Sequence, residues 1–184
     1  YIYTCREDYE QEGEPRVVTY NEKGEREWTA IDSIGHMHNG WIANIGTDYR
    51  KVAMAMRITR KVIDNAIVDT KPEDFYFDAV TGSPIETPLP FTGHEFMPID
   101  FDGDGYQEFY GTGGDKKGSI IDSSGKLLAF VGGSGVIRSG KIMKRAGEQL
   151  MVYYHDEEKV RIWGDINAVE SDYTKKRYEH SYHW

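Results

Sequence analysis

Three short turns, Asn21-Glu22-Lys23-Gly24, Asp78-Ala79-Val80-Thr81-Gly82 and Asp122-Ser123-Ser124-Gly125, each stand between runs of strand-forming residues. Each is followed at nearly the same interval by a second glycine: Gly35, Gly93 and Gly135. The three segments read as hairpin-like turns. Such a recurrence restricts the chain to folds made from one small antiparallel unit used several times. The segments between the turns agree with this. Arg50 to Thr59 sets Val52, Met54, Met56 and Ile58 against Ala53, Ala55, Arg57 and Thr59, the period of two of a half-buried strand. Similar runs lie at Arg16 to Tyr20, Phe75 to Phe77, Glu108 to Gly111, Ser119 to Ile121, Leu127 to Val131, Leu150 to Tyr154 and Lys159 to Trp163. Gly, Asp, Asn or Pro separates nearly all of them. Helix is expected only across Ile166 to Glu179, where the apolar spacing is weak.

A unit of about 40 to 50 residues holding about four short strands has the period of a propeller blade. The fold class expected is therefore all-β, a β-propeller of about three four-stranded antiparallel meanders with fragments of a fourth. The approximate blades are 1–35, 36–93, 94–135 and 136–184. A β-sandwich with evenly spaced turns is the alternative. The stretch from Gly35 to Gly93 is longer than that from Gly93 to Gly135, and the surplus is placed as an insertion near Val62 to Pro72. Propellers close with about 4 to 8 blades. The strand-like start Tyr1-Ile2-Tyr3-Thr4, without an initiating Met, reads as the C-terminal portion of a larger propeller whose remaining blades come from a longer chain or an assembly.

Composition removes other classes. The chain of 184 residues carries 22 Lys and Arg against 31 Asp and Glu, a net charge of −9 with no basic run, so a nucleic-acid partner is set aside. Thirteen Tyr, 7 Phe and 4 Trp are more aromatic surface than a disordered tail carries. Apolar stretches such as Val52 to Met56 fall far short of the ~20 residues of a bilayer helix, so no membrane helix is expected. The single Cys5 forms neither an intrachain disulfide nor a Cys-based zinc site. No nucleophile elbow, phosphate loop, Cys-His pair or HExxH helix occurs.

The strongest motif is Asp100-Phe101-Asp102-Gly103-Asp104-Gly105-Tyr106-Gln107-Glu108. Carboxylates at alternate positions, with glycines for the sharp turn, converge on one hard cation, and oxygen ligands suit Ca²⁺. Asp100, Asp102, Asp104 and Glu108 are the side-chain ligands expected, and Tyr106 is expected to give its carbonyl. An EF-hand needs a bidentate Glu at the twelfth position, where Gly111 stands, and helices on both flanks, where Met97-Pro98-Ile99 and Phe109-Tyr110 read as strands and Pro98 argues against a preceding helix.

The run Asp-x-Asp-Gly-Asp-Gly-x-x-Glu between two short strands resembles the calcium loop of the integrin-type FG-GAP or VCBS propeller repeat. In that family the loop joins the first and second strands of a blade, and the metal is structural. At the aligned places Asn44-Ile45-Gly46-Thr47-Asp48 keeps two ligand-capable residues and Lys144-Arg145-Ala146-Gly147 keeps none, so one calcium site is expected. A narrower resemblance is to secreted polysaccharide lyases on calcium-containing propellers, of the rhamnogalacturonan and ulvan lyase kind. It is carried by the calcium loop, the blade rhythm, and the ending Val160-Arg161-Ile162-Trp163-Gly164-Asp165 with the Tyr/His-rich tail to Trp184. It implies a protein that is secreted, periplasmic or at the cell surface, with a polysaccharide or oligosaccharide as partner.

Under that resemblance, β-elimination beside a uronate calls for a group that neutralises the carboxylate, a base working near neutrality and an acid for the leaving oxygen. Gly35-His36-Met37-His38 and Gly93-His94-Glu95 take the same place in successive units, and Arg138 follows Gly135 as His38 follows Gly35. His36, His38, His94 and Arg138 are thus the candidate catalytic residues, on one pocket face, with imidazole suited to base work. Glu95, Arg57 and Arg60 are candidate substrate contacts. A Tyr is expected as the acid, and spacing does not choose among them. Tyr173, Tyr178, Tyr182 and Trp184 either stack on sugar rings or pack against a blade. The other class of function is a non-catalytic, calcium-stabilised propeller used for adhesion or glycan binding, and the two differ in whether the three imidazoles converge in one cleft with a Tyr and an Arg.

Overall fold

The computed structural model describes residues 2–6, 15–30, 36–45, 48–58, 60–69 and 71–179. Tyr1, Gly35, Gly46, Thr47, Thr59, Tyr182, Trp184 and the side chain of Arg60 lie outside the described part. The chain is all-β: among the described residues, four small antiparallel meanders follow one another as the blades of a β-propeller, with one short α-helix. They fall into two compact units, one of Tyr1–Ile42, Lys51–Pro88 and Thr92–His94, the other of Ala43–Arg50, Leu89–Phe91 and Glu95–Trp184.

Among the described residues the first unit holds two sheets and one separate hairpin, apart from the strand-end residues Ala43 and Asn44, which belong to the second unit. β1 (Ile2–Cys5), β2 (Val17–Tyr20) and β3 (Arg26–Thr29) pair in that order, and β4 (His36–Asn44) and β5 (Lys51–Ile58) are followed in their sheet by β8 (Glu73–Asp78) and β9 (Pro84–Ile85). Between β5 and β8 the chain makes a separate hairpin of β6 (Arg60–Ile63) and β7 (Ala66–Asp69), which falls within the longer unit. Its turn residues Asp64 and Asn65 have φ of 51° and 63°, the left-handed pair of a two-residue I′ hairpin. The core packs Val17, Trp28, Ala30, Met37 and Phe77 against Ala53 and Ala55. Trp28 sits 6.0 Å from Phe77, ring to ring, and donates its indole N–H to the Ala79 carbonyl at 3.0 Å.

Here the strand-period reading is corrected. Val52 to Met56 are all buried, so β5 is covered on both faces rather than half-buried. The alternation reflects size. The alanines make room for Trp28 and Met37, while Val52, Met54 and Met56 are buried on the opposite face.

The second unit holds β10 (Phe96–Ile99), β11 (Glu108–Gly111), β12 (Ser119–Ile121) and β13 (Leu127–Phe130), then β14 (Gly135–Gly140), β15 (Gln149–Tyr154) and β16 (Lys159–Trp163), each set paired in chain order. Pro98 lies on β10, an edge strand, where its missing N–H breaks no central ladder. Ile99, Phe101, Tyr110, Ile120, Val131, Leu150 and Val152 form one core across both sheets. Burial of each large member stabilises by about 1.5–3 kcal/mol. The weak helical stretch yields only α1 (Asp172–Arg177), whose N-cap Ser171 accepts the Thr174 N–H.

Against the expected three blades and fragments of a fourth, the described residues form two sheets of four strands and two of three, beside the two-stranded β6–β7 hairpin. In all three flagged turns the opening Asn or Asp takes backbone N–H groups on its Oδ1: Lys23 and Glu25 on Asn21, Val80 and Thr81 on Asp78, Ser124 and Lys126 on Asp122.

Candidate functional site

The acidic loop joins β10 to β11, the first and second strands of its sheet. Asp100 directly follows the buried Ile99 and Glu108 begins β11, so the ladder that pairs Ile99 with Glu108 brings the two ends of the loop together. One carboxylate oxygen each from Asp100, Asp102 and Glu108 lies within 4.8 Å of the others. Asp100 is 0% exposed and Glu108 6%. Backbone donors arrange the group: Phe101 N–H gives to Glu108 Oε2 at 2.7 Å, Gly105 N–H to Asp100 Oδ1 at 3.2 Å and Asp104 N–H to Asp102 Oδ1 at 3.0 Å. Asp104, expected as a fourth carboxylate, stands apart from this trio and accepts the Tyr106 N–H at 2.7 Å.

Burial pushes the Glu108 carboxyl up to about 8, helped by the charges of Asp102, Asp104 and Asp100, with the Phe101 N–H pulling the other way. Asp100 is raised to about 6, again first by burial, against the donors Gly105 and Thr174. Asp104 is raised by partial burial and by Asp102, against the Tyr106 N–H. The two buried carboxylates of the trio, Asp100 and Glu108, resist ionising together and are relieved by one divalent cation, and all-oxygen donors fit a hard ion.

The C-terminal segment closes over this loop. Val169 and Ser171 N–H groups donate to the Asp102 and Gly103 carbonyls, both at 2.9 Å, and the Thr174 hydroxyl to Asp100 Oδ2 at 2.9 Å. Glu148, 5% exposed, accepts the Asp100 N–H at 2.9 Å, the Tyr178 hydroxyl and the Arg177 guanidinium at 3.2 Å. Tyr49 stacks between Tyr106 and Tyr173 with ring centroids 4.4 Å from each. Gly105 permits this: its φ is +98°, and a Cβ there would lie 2.8 Å from the Tyr49 ring and 2.9 Å from that of Tyr173. Asn44, one of the two ligand-capable residues at the aligned place, donates its amide to the Gly105 carbonyl at 2.9 Å and the Tyr173 hydroxyl at 3.0 Å.

The turn that carries His94 lies against β4, the strand of His36 and His38: the Asn39 amide donates to the His94 carbonyl at 3.1 Å and the Trp41 indole to the Gly93 carbonyl at 3.0 Å. His36 and His38 lie on β4 itself, ring centroids 4.8 Å apart, the first buried and the second exposed. His94 stands in the 3-10 turn before β10, its Nδ1 at 2.7 Å from Asp74 Oδ1 on β8. Asp74 Oδ2 accepts the Gly93 N–H at 2.7 Å and the Tyr76 hydroxyl at 3.4 Å. Burial, then the Asp74 charge, raises the Tyr76 phenol. Asp74, Tyr76, Thr29, Pro84 and Glu86 are among the residues lining a cavity of about 560 Å³ in the first unit. Sequence reasoning named His94 and missed Asp74, because the pair spans 20 residues and no local pattern marks it.

The candidate substrate contacts are placed as follows. Arg57 is committed to Glu73, directly across from it on β8, through Nε at 3.1 Å and Nη2 at 2.6 Å, and lies 4.8 Å over the Phe75 ring. Arg138, in the second unit, is exposed on β14 opposite Met151. Glu95, also in the second unit, accepts Thr112 and Gly113 N–H groups on its carbonyl. Tyr173 and Tyr178 pack around the acidic loop.

No family model matches the chain, and no curated protein or solved structure does.

Proposed function

We propose that this chain is a calcium-stabilised propeller module of the FG-GAP or VCBS kind, which holds one structural Ca²⁺ and serves glycan binding or adhesion outside the cytoplasm. The observation that carries the metal reading is the convergence of Asp100, Asp102 and Glu108 within 4.8 Å, two of them buried. Asp104 and the Tyr106 carbonyl would complete an oxygen shell. A metal bound there would supply charge neutralisation to Asp100, Asp102 and Glu108. Extracellular modules use sites with Kd of about 10⁻⁴–10⁻³ M, the range expected of a site outside the cytoplasm. Isothermal titration of chelator-stripped protein tests this: one Ca²⁺ per chain, with Mg²⁺ weaker, is expected, and no uptake at millimolar Ca²⁺ overturns it.

A second reading, a lyase acting on an acidic polysaccharide, is favoured by the Asp74 and His94 pair. With Nδ1–H given to Asp74, the Nε2 lone pair of His94 is the base, and Asp74 is its positioning residue. Arg57, the candidate for neutralising a uronate carboxylate, is held by Glu73, and for that reason glycan binding stands first.

A further inference from the structure

The loop between β14 and β15 is built on the plan of the acidic loop. In the first loop Glu108, at the start of β11, takes the N–H of Phe101, seven residues before it. In the second, Gln149, at the start of β15, takes the N–H of Ile142 at 3.0 Å, again seven residues before it, and that of Met143 at 2.8 Å. Matching Gln149 to Glu108 sets Lys141 on Asp100, Met143 on Asp102, Arg145 on Asp104 and Gly147 on Tyr106. Every carboxylate of the metal loop is lost, and its first position has become a cation.

That cation points inward. The Lys141 ammonium donates to the carbonyls of Arg145 and Gly147, the latter at 3.1 Å, and to the Glu170 carboxylate. Three donors thus meet three acceptors, which is the full capacity of an ammonium. The two carbonyls belong to the fifth and seventh positions, and the seventh corresponds to Tyr106, the expected carbonyl ligand. Gly147 keeps the turn tight: its φ is +69°, and a Cβ would come within 2.3 Å of the Phe101 carbonyl. Glu170 lies between Val169 and Ser171, whose N–H groups bind the acidic loop. One strap therefore holds both loops.

We propose that the Lys141 ammonium is the built-in cation of the β14–β15 loop, standing where a metal stands in the β10–β11 loop, with Glu170 as its counter-charge. The comparison rests on the calcium reading of the first loop; the Lys141 contacts do not. A surface lysine pairing with one carboxylate would leave the loop carbonyls to water and would matter little.

The test uses the full chain. Calcium stoichiometry and melting temperature are measured for the wild type, Lys141→Met, Glu170→Gln, their combination, and Lys141→Asp with Gln149→Glu. Lys141→Met is expected to lower the melting temperature by about 3–8 °C in calcium and in chelator alike. Glu170→Gln added to it should cost little more, since both report one interaction. The Lys141→Asp, Gln149→Glu variant should bind one Ca²⁺ more than the wild type. Additive losses, or a Lys141→Met shift below about 1 °C, overturn the proposal, as does a folded conversion variant with unchanged stoichiometry. Should that variant not fold, the Lys141 and Glu170 cycle decides alone. Wild type without calcium uptake sinks the metal reading of the first loop and leaves that cycle to decide on Lys141.

Discussion

The Thr174 hydroxyl donates to Oδ2 of Asp100 at 2.9 Å, across 74 residues of chain. Thr174 is fully buried in α1, and Asp100 is the first carboxylate of the acidic loop. A helix of six residues has little stability of its own, so its place depends on such ties. Thr174→Val keeps the shape and removes the donor. Because the acceptor is a buried carboxylate, the loss expected in calcium-free protein is about 1.5–3 kcal/mol by urea unfolding. A change below about 0.5 kcal/mol would mean that α1 docks without this bond.

Asp100 and Glu108 are raised to about 6 and about 8, above the ordinary carboxylate values. The folded chain therefore binds protons more tightly than the unfolded one. Without metal, the stability this contributes is complete below the unfolded pKa and is lost as pH climbs through about 6 and then about 8. Calcium must displace those protons, so its affinity rises over the same interval. Melts from about pH 5 to about pH 9 should show a falling temperature in chelator and a widening gap between chelator and calcium. A flat chelator curve would contradict the burial of these groups.

Chelation should lower the melting temperature at neutral pH, because about 10 mM Ca²⁺, a ten- to hundredfold excess over a Kd of about 10⁻⁴–10⁻³ M, adds about 1.4–2.7 kcal/mol to the folded state. Asp102 is the member of the trio with partial exposure, and it touches the loop through the Asp104 N–H. Asp102→Ala should therefore fold and lose the chelator response. Equal melting of the wild type with and without chelator removes the metal.

In the first unit, Gly82 has φ of +71°, and a Cβ there would stand 2.6 Å from the Trp28 ring. Gly82→Ala combines backbone strain with overlap and should cost about 2–4 kcal/mol. Gly24, at φ +78° with nothing within 4 Å of its Cβ position, is the control. Gly24→Ala carries strain alone, about 1–2 kcal/mol. Equal losses at the two sites would show that Trp28 gives way.

What could be read from the chain alone was what local chemistry controls. The turns that begin at Asn21, Asp78 and Asp122 are legible as hairpin-like turns, their closure by the side-chain Oδ1 is not, and the Asp100 to Glu108 loop carries its spacing on its face. Ala53 and Ala55 misled, because a small residue that makes room for Trp28 looks like the exposed side of a strand. Partners far along the chain left no mark. Glu148 meets the Asp100 N–H across 48 residues, Lys141 meets Glu170 across 29, and an isolated Lys or Glu reads as solvated surface. Lys144 to Gly147 shows in the sequence that the second loop lacks ligands, while Lys141 leaves no mark there because the position matching Asp100 has changed sign.

The Asp74 and His94 pair separates the two functions. A positioning carboxylate and a structural strut are expected to behave differently when Asp74→Asn keeps the size and removes the charge. If His94 is a base on an acidic polysaccharide, Asp74→Asn should lower kcat by about 10²–10⁴-fold with KM little changed, and His94→Ala should do the same. The readout is ultraviolet absorbance of the unsaturated uronate, on the longest calcium-loaded chain, against pectic and marine acidic polysaccharides, beside His36→Ala and His38→Ala. If the pair is a strut, there is no turnover to lose. Asp74 also takes the Gly93 N–H, so Asp74→Asn should then lower only the melting temperature, by about 3–8 °C, with glycan retention on an affinity gel intact. Retention without turnover in the wild type supports adhesion or glycan binding. Turnover that survives His94→Ala removes His94 from the chemistry.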